Sequence, residues 1–541
     1  MSKHWIRSYD KGVPEEIDAD AYGSVVELLD NACKKYPDLT AFECFGAPMT
    51  YAQLDAAARN VAAYLQTELG VKRGDRIALM CPNIFAFPVA MLGILRAGAT
   101  QVNVNPLYTP RELEHQLNDA GAETILIFAG STPTLGAIIG NTPVKTVVTI
   151  DLGDGMGLPI PTPPADAAIE APIKFADVLA EGADMAFEPV ELTGDDLIFF
   201  QYTGGTTGLS KGAVLTHRNL VANSEQFRAY LPEASEEGKE VVVGALPLYH
   251  IFGLTLSLVY LAIGGKIVLI PNPRDMDSFI GAIKNSKFSI MAGVNTLFAG
   301  LCMHPAFKEV DFSGYKISIG GGTAVLEATS NAWKEITGHH IKEGYGLSET
   351  APILTINPMS NTHFSGACGL PVSSTHIKLL DENDNEVALG ERGEICASGP
   401  QVMKGYWNRD DANEEAFTSD GYFRTGDIGT FDEDGYLYIV DRKKDMILVS
   451  GFNVYPNEVE AVVALCPGVA ENACIGVPDE KTGEAVQVFV VRSDENLTEE
   501  AIIEHCRGSL TGYKVPRRIT FLDELPKSGV GKILRRELRK P

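Results

Sequence analysis

The stretch that decides the fold is RIALMCPNIFAFPVAMLGILRAGATQVNVNP, residues 76–106. The run RIALM is typical of a buried strand, AFPVAMLGILRAG is typical of a helix, and TQVNVNP contains a second strand-like run. This order predicts parallel strands covered by helices, with ligands bound at the carboxyl ends of the strands. Working outward, RELEHQLNDAG predicts the next helix and ETILIFAG the next strand. Up to Gly390 the sequence therefore predicts an α/β fold.

Beyond Gly390 the pattern changes to short apolar runs separated by Gly and Asp, such as RGEICASGP, GYLYIVDR and DMILVSG. Runs of this kind predict an antiparallel or barrel-like portion. Beyond Asp441 helical and strand-like runs alternate in a small α+β pattern. Because 541 residues are too many for one compact core, we expect two or more domains.

The composition disfavours several classes of protein. The formal net charge of −26 argues against nucleic acid as a non-specific partner. Nine cysteines without metal-ligand spacing, and an N-terminus without the apolar core of a signal peptide, predict a cytoplasmic protein. One uncharged stretch, residues 241–265, is long enough to span a bilayer. Pro247, Tyr249 and His250 interrupt it, so it is predicted to be a strand, a polar loop and a buried helix.

The segment QYTGGTTGLSKGAVLTH, residues 201–217, predicts a phosphate-binding loop that is not a P-loop. A P-loop has Gly before its Lys and a hydroxyl after it, whereas Ser210 precedes Lys211 and Gly212 follows. The glycines still allow backbone N–H groups to face an anion, while the threonines add donors and Lys211 adds charge. We expect the loop to join the strand LIFFQY to the helix THRNLVANSEQFRAYL.

YTGGTTGLSKG resembles the phosphate-binding signature of the adenylate-forming enzymes, which include acyl-CoA synthetases, luciferases and peptide-synthetase adenylation domains. Further motifs resemble that family in its order and spacing: ALPLYHIFG, GGGTAV, EGYGLSETAP, GERGEICASGPQVMKGYW, GYFRTGD, VDRKKDMILVSGFNVYPNEVE and PKSGVGKILRREL. Within the family, NVNPLYTPRELEHQLNDAGA, GVNTLF and LTGYKVPRRI most resemble bacterial long-chain fatty acid–CoA ligases.

The resemblance implies a two-step reaction. A fatty acid carboxylate attacks the α-phosphorus of ATP to give acyl-adenylate and pyrophosphate, and the CoA thiol then displaces AMP. ATP and CoA are therefore the expected co-substrates, and Mg²⁺ is the expected cofactor. The implied role of the enzyme is in fatty acid uptake or degradation. The implied fold has a large N-terminal domain, residues 1–441, of αβαβα layered sheets with a β-barrel-like portion. A small mobile α+β domain, residues 442–541, follows a hinge near Lys444.

The same resemblance implies roles for single residues. Lys532 would bridge carboxylate and phosphate, His250 would orient them, and Glu349 would bind Mg²⁺. Tyr345 would stack on adenine and Asp427 would bind the ribose. The expected ATP-binding residues are Thr203, Gly204, Gly205, Thr206, Thr207, Gly208, Lys211, Gly322, Thr323, Tyr345, Ser348, Asp427 and Arg442. Gly451 would line the CoA tunnel, and the acyl pocket would include Phe252, Leu254, Val294 and Asn295.

Other interpretations remain open at this point. They are a ligase for medium-chain or aromatic carboxylates, a luciferase-type enzyme, a ligase for a carrier protein, and a catalytically dead scaffold. A transient contact with the inner face of the cell membrane and a homodimer are also left open. The basic tail around Arg535, Arg536 and Arg539 predicts contact with an anionic ligand.

Overall fold

The computed structural model describes residues 3–203, 210–450, 452–479, 481–529 and 531–539. Among these residues the strands of the first part are β1 Thr40–Cys44, β2 Ala47–Thr50, β3 Arg76–Met80, β4 Thr100–Asn103, β5 Thr124–Phe128, β6 Thr146–Ile150, β7 Ile173–Lys174, β8 Leu197–Thr203, β9 Lys211–Thr216, β10 Val241–Gly244, β11 Lys266–Leu269, β12 Ile290–Gly293 and β13 Ile317–Gly320. The later strands are β14 Lys342–Gly346, β15 Ile353–Ile356, β16 Leu370–Pro371, β17 His376–Leu380, β18 Gly393–Ser398, β19 Gly405–Tyr406, β20 Phe423–Phe431, β21 Leu437–Arg442, β22 Ile447–Val449, β23 Phe452–Val454, β24 Val469–Asp479, β25 Gly483–Arg492 and β26 Arg518–Leu522.

The helices connect and cover these strands. They are α1 Val25–Lys35, α2 Tyr51–Thr67, α3 Ala86–Arg96, α4 Pro110–Ala120, α5 Thr132–Gly136, α6 Phe175–Gly182, α7 His217–Tyr230, α8 Ile251–Leu261, α9 Met276–Ile283, α10 Asn295–Met303, α11 Glu327–Thr337, α12 Asp410–Ala416, α13 Pro456–Ala464, α14 Glu499–Arg507 and α15 Arg535–Leu538.

Two large, mostly parallel sheets form the N-terminal part. One has the strand order β16-β15-β14-β13-β12-β10-β11-β1-β2, and the other has the order β19-β9-β8-β4-β3-β5-β6-β7. The strand–helix–strand pattern of residues 76–106 is confirmed, because β3 and β4 pair in parallel, with Arg76 opposite Thr100. Antiparallel pairs lie toward the sheet edges, as between β8 and β9.

The side chains of each large sheet alternate between two cores. In β3, Ile77 and Leu79 belong to the central core between the sheets, whereas Ala78 and Met80 face the core beneath α4. The nine-stranded sheet, which contains β10 to β13, likewise packs against α9, α10 and α11 on its outer face. Since successive residues of a strand point to opposite faces, both sheets are covered on both sides. This arrangement is the expected αβαβα layering.

Local signals place the helices that follow these strands. Thr109 begins α4 with a capping box, and Gly121 ends it at φ 63°, in the left-handed region that glycine adopts without strain. Thr216 begins α7 in the same way, directly after β9. The predicted helix THRNLVANSEQFRAYL is confirmed as α7, but the residues between the loop and this helix form the strand β9, which was not predicted. The residues KGAVLT satisfy their backbone groups by pairing with β8.

The uncharged stretch of residues 241–265 folds as predicted. It forms β10, a turn through His250, and α8, whose buried face packs in the central core. Within the part of the chain that the structure describes, no helix combines the length and apolar character needed to cross a membrane.

Two smaller sheets follow. The strands β17, β18, β20 and β21 form an antiparallel sheet, as expected for the barrel-like portion. The run DMILVSG does not belong to it, since β22 pairs with β23 and β25 in the C-terminal sheet. That last sheet has its own core, which includes Ile447, Val459, Val488 and Ile502.

Candidate active site

Several of the sequence-predicted site residues lie at or after the carboxyl ends of parallel strands. His250 follows β10, Val294 follows β12 and Gly322 follows β13. Tyr345 lies within β14, which is parallel to β13. The carboxyl ends of parallel strands meet at one edge of a sheet, so distant parts of the chain converge there.

A cavity of about 300 Å³ lies beside Asp427, whose carboxylate contacts Tyr345 of β14. Its lining residues are Thr425, Gly426, Asp427, Arg442, Lys443 and Lys444. The volume is at the lower end of the range for small-molecule pockets.

The carboxylate of Asp427 is held in this cavity with little exposure to solvent. Asp427 is 4% exposed and lies opposite Arg442 in the pairing of β20 with β21. Its Oδ1 is 3.4 Å from Arg442 Nε, and its Oδ2 accepts a 2.7 Å hydrogen bond from the Tyr345 hydroxyl. The same aromatic ring and carboxylate that were predicted to bind adenine and ribose are therefore in direct contact.

A second buried carboxylate, Glu349, is linked to the predicted phosphate-binding lysine through an aromatic residue. The Tyr406 hydroxyl donates to Glu349 Oε1 at 2.8 Å, and Lys211 Nζ lies 5.2 Å from the centre of the Tyr406 ring. Burial raises the pKa of Glu349, and the hydrogen bond from Tyr406 acts in the opposite direction. Tyr406 was not singled out from the sequence. The signal that could have identified it is an aromatic residue directly after KG in the motif QVMKGYW.

His250 caps α8 and is half-buried. Its Nδ1 accepts from the backbone N–H of Phe252 at 3.3 Å, which leaves the proton on Nε2. Burial, together with the charge of Lys532, lowers the pKa of His250 to about 4. At neutral pH Nε2 is therefore a hydrogen-bond donor rather than part of a cation.

Lys532 is carried into this site by a tight turn of the C-terminal part. Its backbone N–H donates to Ser528 Oγ at 3.1 Å, and the N–H of Ser528 donates to the Lys532 carbonyl at 2.7 Å. Gly531 has φ 81°, and a Cβ there would lie 3.1 Å from Thr296 Oγ1 and 3.3 Å from Val294 Cγ2. The close approach of this turn to the N-terminal part therefore requires glycine.

Burial and neighbouring cations lower the pKa of two lysines near Asp427. Burial, followed by the charge of Arg442, lowers the pKa of Lys532 to about 8. The same two causes, in the same order, lower the pKa of Lys444 to about 8. The carboxylate of Asp427 opposes both shifts.

Of the predicted acyl-pocket residues, Phe252 and Val294 lie against the glycine-rich turn after β13. A Cβ on Gly321 would be 3.0 Å from the Phe252 ring, so this ring packs against bare backbone. Leu254 is 1% exposed in the central core, and Val294 is also buried. The Asn295 side chain accepts from the backbone N–H of Leu326 at 2.9 Å and holds the same turn.

The remaining predicted ATP-binding residues are placed as follows. Thr203 ends β8 with its hydroxyl 3.5 Å from the Lys211 carbonyl. Gly322 is exposed and adopts φ 75°, Thr323 beside it is partly buried, and Ser348 directly precedes Glu349. The residues Gly204, Gly205, Thr206, Thr207 and Gly208, and Gly451 of the expected CoA tunnel, lie outside the described residues.

The donor chemistry fits a magnesium ion held together with a substrate. Within the described ranges, no three His, Cys, Asp or Glu side chains come together as a ready-made metal site. Magnesium bound beside nucleotides takes one or two protein carboxylates, and the substrate phosphates and water supply the other ligands. Glu349, 7% exposed and next to the end of the predicted phosphate loop, is a carboxylate of that kind.

The basic tail differs from its prediction. Arg535 and Arg539 do not form an open patch for an anionic ligand, because Arg535 pairs with Glu460 at 2.7 Å and Arg539 pairs with Asp445 at 2.8 Å. Composition shows only the excess of charge in the last residues, whereas the acids that pair with Arg535 and Arg539 lie 75 and 94 positions earlier.

The geometry and the family comparison point to the same class of protein. The sequence pattern of AMP-binding enzymes matches residues 29–407, and that of the AMP-binding enzyme C-terminal domain matches residues 458–532. The chain therefore belongs to the family of AMP-binding enzymes.

Full-length relatives and solved structures narrow this class. The chain is 50% identical to the long-chain-fatty-acid–CoA ligase of Salmonella typhimurium, over 100% of this chain and 98% of that protein. ATP-bound MatB from Rhodopseudomonas palustris is 32% identical, with a TM-score of 0.84, and the alignment covers 95% of this chain and 98% of that one. An anthranilate CoA ligase in complex with anthranoyl-AMP is 26% identical, with a TM-score of 0.87 and coverage of 97% and 98%.

Proposed function

We infer that this protein is an AMP-forming long-chain fatty acid–CoA ligase. The observations that carry the inference are that Gly531, directly before Lys532, accepts from Thr296 Oγ1 of the N-terminal part at 3.5 Å, and that Lys532 interacts electrostatically with Asp427, Arg442 and His250. Joining a carboxylate to the α-phosphate of ATP is helped by a cation, by an imidazole that donates a hydrogen bond, and by a carboxylate that binds the ribose hydroxyls. The choice of a long acyl chain is supported by the 50% identity to a long-chain-fatty-acid–CoA ligase over the whole chain.

In the adenylation step, we propose that Lys532 holds the attacking carboxylate and the α-phosphate together. Negative charge spreads over the phosphate oxygens in the transition state, and a cation fixed at that point stabilises it. His250 Nε2–H would orient the same oxygens from the opposite side of the cleft. Asp427 would accept from the ribose hydroxyls, and Tyr345 would lie against the adenine.

The rest of the nucleotide would be bound by the predicted ATP-binding residues. Lys211 and the segment from Thr203 to Gly208 are proposed for the β- and γ-phosphates, with Gly322, Thr323, Ser348 and Arg442 around the adenosine and α-phosphate. Glu349 would hold Mg²⁺, which would neutralise phosphate charge when bound. The support for this role is that Glu349 is linked through Tyr406 to Lys211.

For the thioester step, we propose that the C-terminal domain rotates about Lys444. The support is that β21, up to Arg442, pairs with β20 in the N-terminal part, whereas β22 to β26 form a separate sheet with a separate core. Rotation would withdraw Lys532 and bring the segment around Gly451 to the pantetheine of CoA. Phe252, Leu254, Val294 and Asn295 are proposed for the acyl pocket.

A panel of carboxylates tests the substrate. With Mg²⁺ and ATP, we expect kcat/KM for pyrophosphate exchange to rise by about fourfold for each added methylene, since burial of one methylene is worth about 0.8 kcal/mol. The rise should continue beyond about ten carbons and should stop when the pocket is filled. Benzoate and ferulate in the same assay are the controls for an aromatic pocket. A maximum of kcat/KM on acetate or benzoate would exclude a long-chain ligase. The acceptor is identified separately, by comparing thioester formation on CoA with that on a holo-carrier protein.

The low pKa of Lys532 predicts the pH dependence of adenylation. Because its pKa is lowered to about 8, Lys532 is a cation below that pH and loses its charge as the pH rises above it. We therefore expect kcat/KM of pyrophosphate exchange to fall above pH 8 with one ionisation. In Lys532→Arg the fall should move to higher pH. A fall that stays in place in that variant and disappears in Lys444→Gln would assign the ionisation to Lys444 instead.

Cellular location and assembly are proposed on chemical grounds. A long-chain fatty acid partitions into lipid, which supports a cytoplasmic enzyme that contacts the inner face of the cell membrane transiently. A homodimer stays a prediction.

A further inference from the structure

A buried ion cluster lies at the junction between the N-terminal and C-terminal parts, and Asp441 is at its centre. Asp441 is 0% exposed. Its Oδ1 accepts from the backbone N–H of Arg442 at 2.7 Å and lies 3.4 Å from Arg535 Nη1. Its Oδ2 accepts from the backbone N–H of Asn457 at 2.7 Å. Each oxygen of this carboxylate is thus engaged by the protein.

Arg535 is held firmly on its own side of the junction. Its Nε and Nη2 donate to the two oxygens of Glu460 at 3.0 and 2.7 Å, and Nη2 also donates to Asn457 Oδ1 at 2.5 Å. Two-point pairing between guanidinium and carboxylate fixes orientation as well as charge. Since Glu460 and Asn457 both lie in α13, Arg535 moves with the C-terminal sheet and its helices.

Asp441 belongs to the other side. It lies in β21, where it pairs with Ile428 of β20 in the antiparallel sheet of the N-terminal part. Lys443, two residues later, binds Glu394 of that same sheet at 3.1 Å. The contacts of Asp441 with Asn457 and Arg535 therefore span the proposed hinge at Lys444.

The cluster is also close in sequence to the proposed catalytic lysine. Arg535 follows Lys532 by three residues, at the start of α15. Fixing Arg535 against Asp441 therefore fixes the end of the turn that places Lys532 in the active site.

We propose that Asp441 and Arg535 are positioning residues that hold the C-terminal part in the arrangement where Lys532 lies in the active site, and so favour adenylation over thioester formation. The proposal rests on the proposed function, because it requires Lys532 to act in adenylation and to leave for the second step. A rotation about Lys444 separates Asp441 from Asn457 and Arg535, while it leaves the pairing of Arg535 with Glu460 unchanged. A contact made in one of two states shifts the population toward that state.

The two half-reactions of the full-length enzyme test this proposal. In Asp441→Asn, we expect pyrophosphate exchange to fall by about tenfold, the range for one lost charge-assisted hydrogen bond. In Arg535→Gln the fall should be at least as large, because this variant also loses the pairing with Glu460. Thioester formation from preformed acyl-adenylate and CoA should stay the same or increase. Arg535→Lys, which keeps the charge, should recover part of the lost exchange.

A double-variant cycle separates positioning from general loss of structure. If Asp441 acts through Lys532, Asp441→Asn should cause no further loss of exchange in the Lys532→Ala background. Lys514→Gln is the matched control, because Lys514 pairs with Glu458 at 2.6 Å entirely within the C-terminal part. It should leave the ratio of the two half-reactions unchanged.

Three results would overturn the proposal: equal losses in both half-reactions, losses that add fully to that of Lys532→Ala, or an unchanged ratio in both single variants. A failure of the proposed function gives a different result, since Lys532→Ala alone would then leave pyrophosphate exchange intact. In that case the role of Asp441 fails with it. Thermal unfolding of each variant shows whether a loss in both half-reactions comes from an unfolded protein.

Discussion

Replacement of Lys532 by alanine is expected to lower acyl-adenylate formation by about 10²-fold or more, the range for removal of one group that stabilises transition-state charge. Thioester formation from preformed acyl-adenylate should largely survive. The reason is geometric: the turn from Ser528 to Lys532 lies against Val294 and Thr296 here, and the second step requires the C-terminal part to move away. The two steps are measured as ATP–pyrophosphate exchange and as CoA-dependent release of AMP.

Lys527 provides the matched control for this variant. It lies in the same basic tail, but it pairs with Glu471 of the C-terminal part at 2.6 Å instead of reaching the cleft. Lys527→Ala should therefore change neither half-reaction by much. If Lys532→Ala lowered both half-reactions equally, the proposed rotation about Lys444 would be wrong.

Replacement of Glu349 by glutamine is expected to lower pyrophosphate exchange by about 10²-fold, the scale for loss of one group that stabilises phosphate charge. It should also raise the concentration of Mg²⁺ needed for half-maximal exchange. Glutamine keeps the shape of the side chain and its hydrogen bond with Tyr406, but it removes the negative charge that a hard cation prefers. Exchange measured over a Mg²⁺ titration gives both quantities.

Glu343 is the comparison for this variant. It is also a buried carboxyl group of the same segment, but its side chain accepts from the backbone N–H of Val325, and burial raises its pKa to about 7. Glu343→Gln should leave the Mg²⁺ requirement as it is in the unchanged protein. An unaltered Mg²⁺ requirement in Glu349→Gln would remove Glu349 from the metal site.

Much of the fold could be predicted because its signals are local. The apolar runs around residues 76–106 are short enough for strands and are separated by helical segments, and parallel pairing of β3 with β4 follows from that order. Thr109 and Gly121 mark the ends of α4 through their own side chain and backbone preferences. The strand β9 was missed because KGAVLT has no strict alternation, and only its pairing with β8 makes it a strand.

The site, like the fold, has features that the sequence predicts and others that only tertiary contacts establish. The motifs YTGGTTGLSKG, EGYGLSET, GYFRTGD and PKSGVGKIL carry the resemblance to the adenylate-forming enzymes, and that resemblance implies the reaction and the residue roles. What they cannot specify is which of them meet. Tyr406 lies 57 positions from the Glu349 carboxylate that it contacts, and no periodicity connects the two.

The sequence by itself determined most of the order of the elements, because helix and strand signals depend on neighbours along the chain, and its motifs carry the resemblance that implies the class of reaction. Only the tertiary structure decided that Asp427 pairs with Arg442, that His250 is a neutral donor, and that Lys532 lies inside the cleft. It also decided that Arg535 is a partner of Asp441 and Glu460 rather than an open site for an anion. These outcomes depend on strand register, burial and the packing of one part of the chain on another, and each of those joins residues that are far apart in sequence.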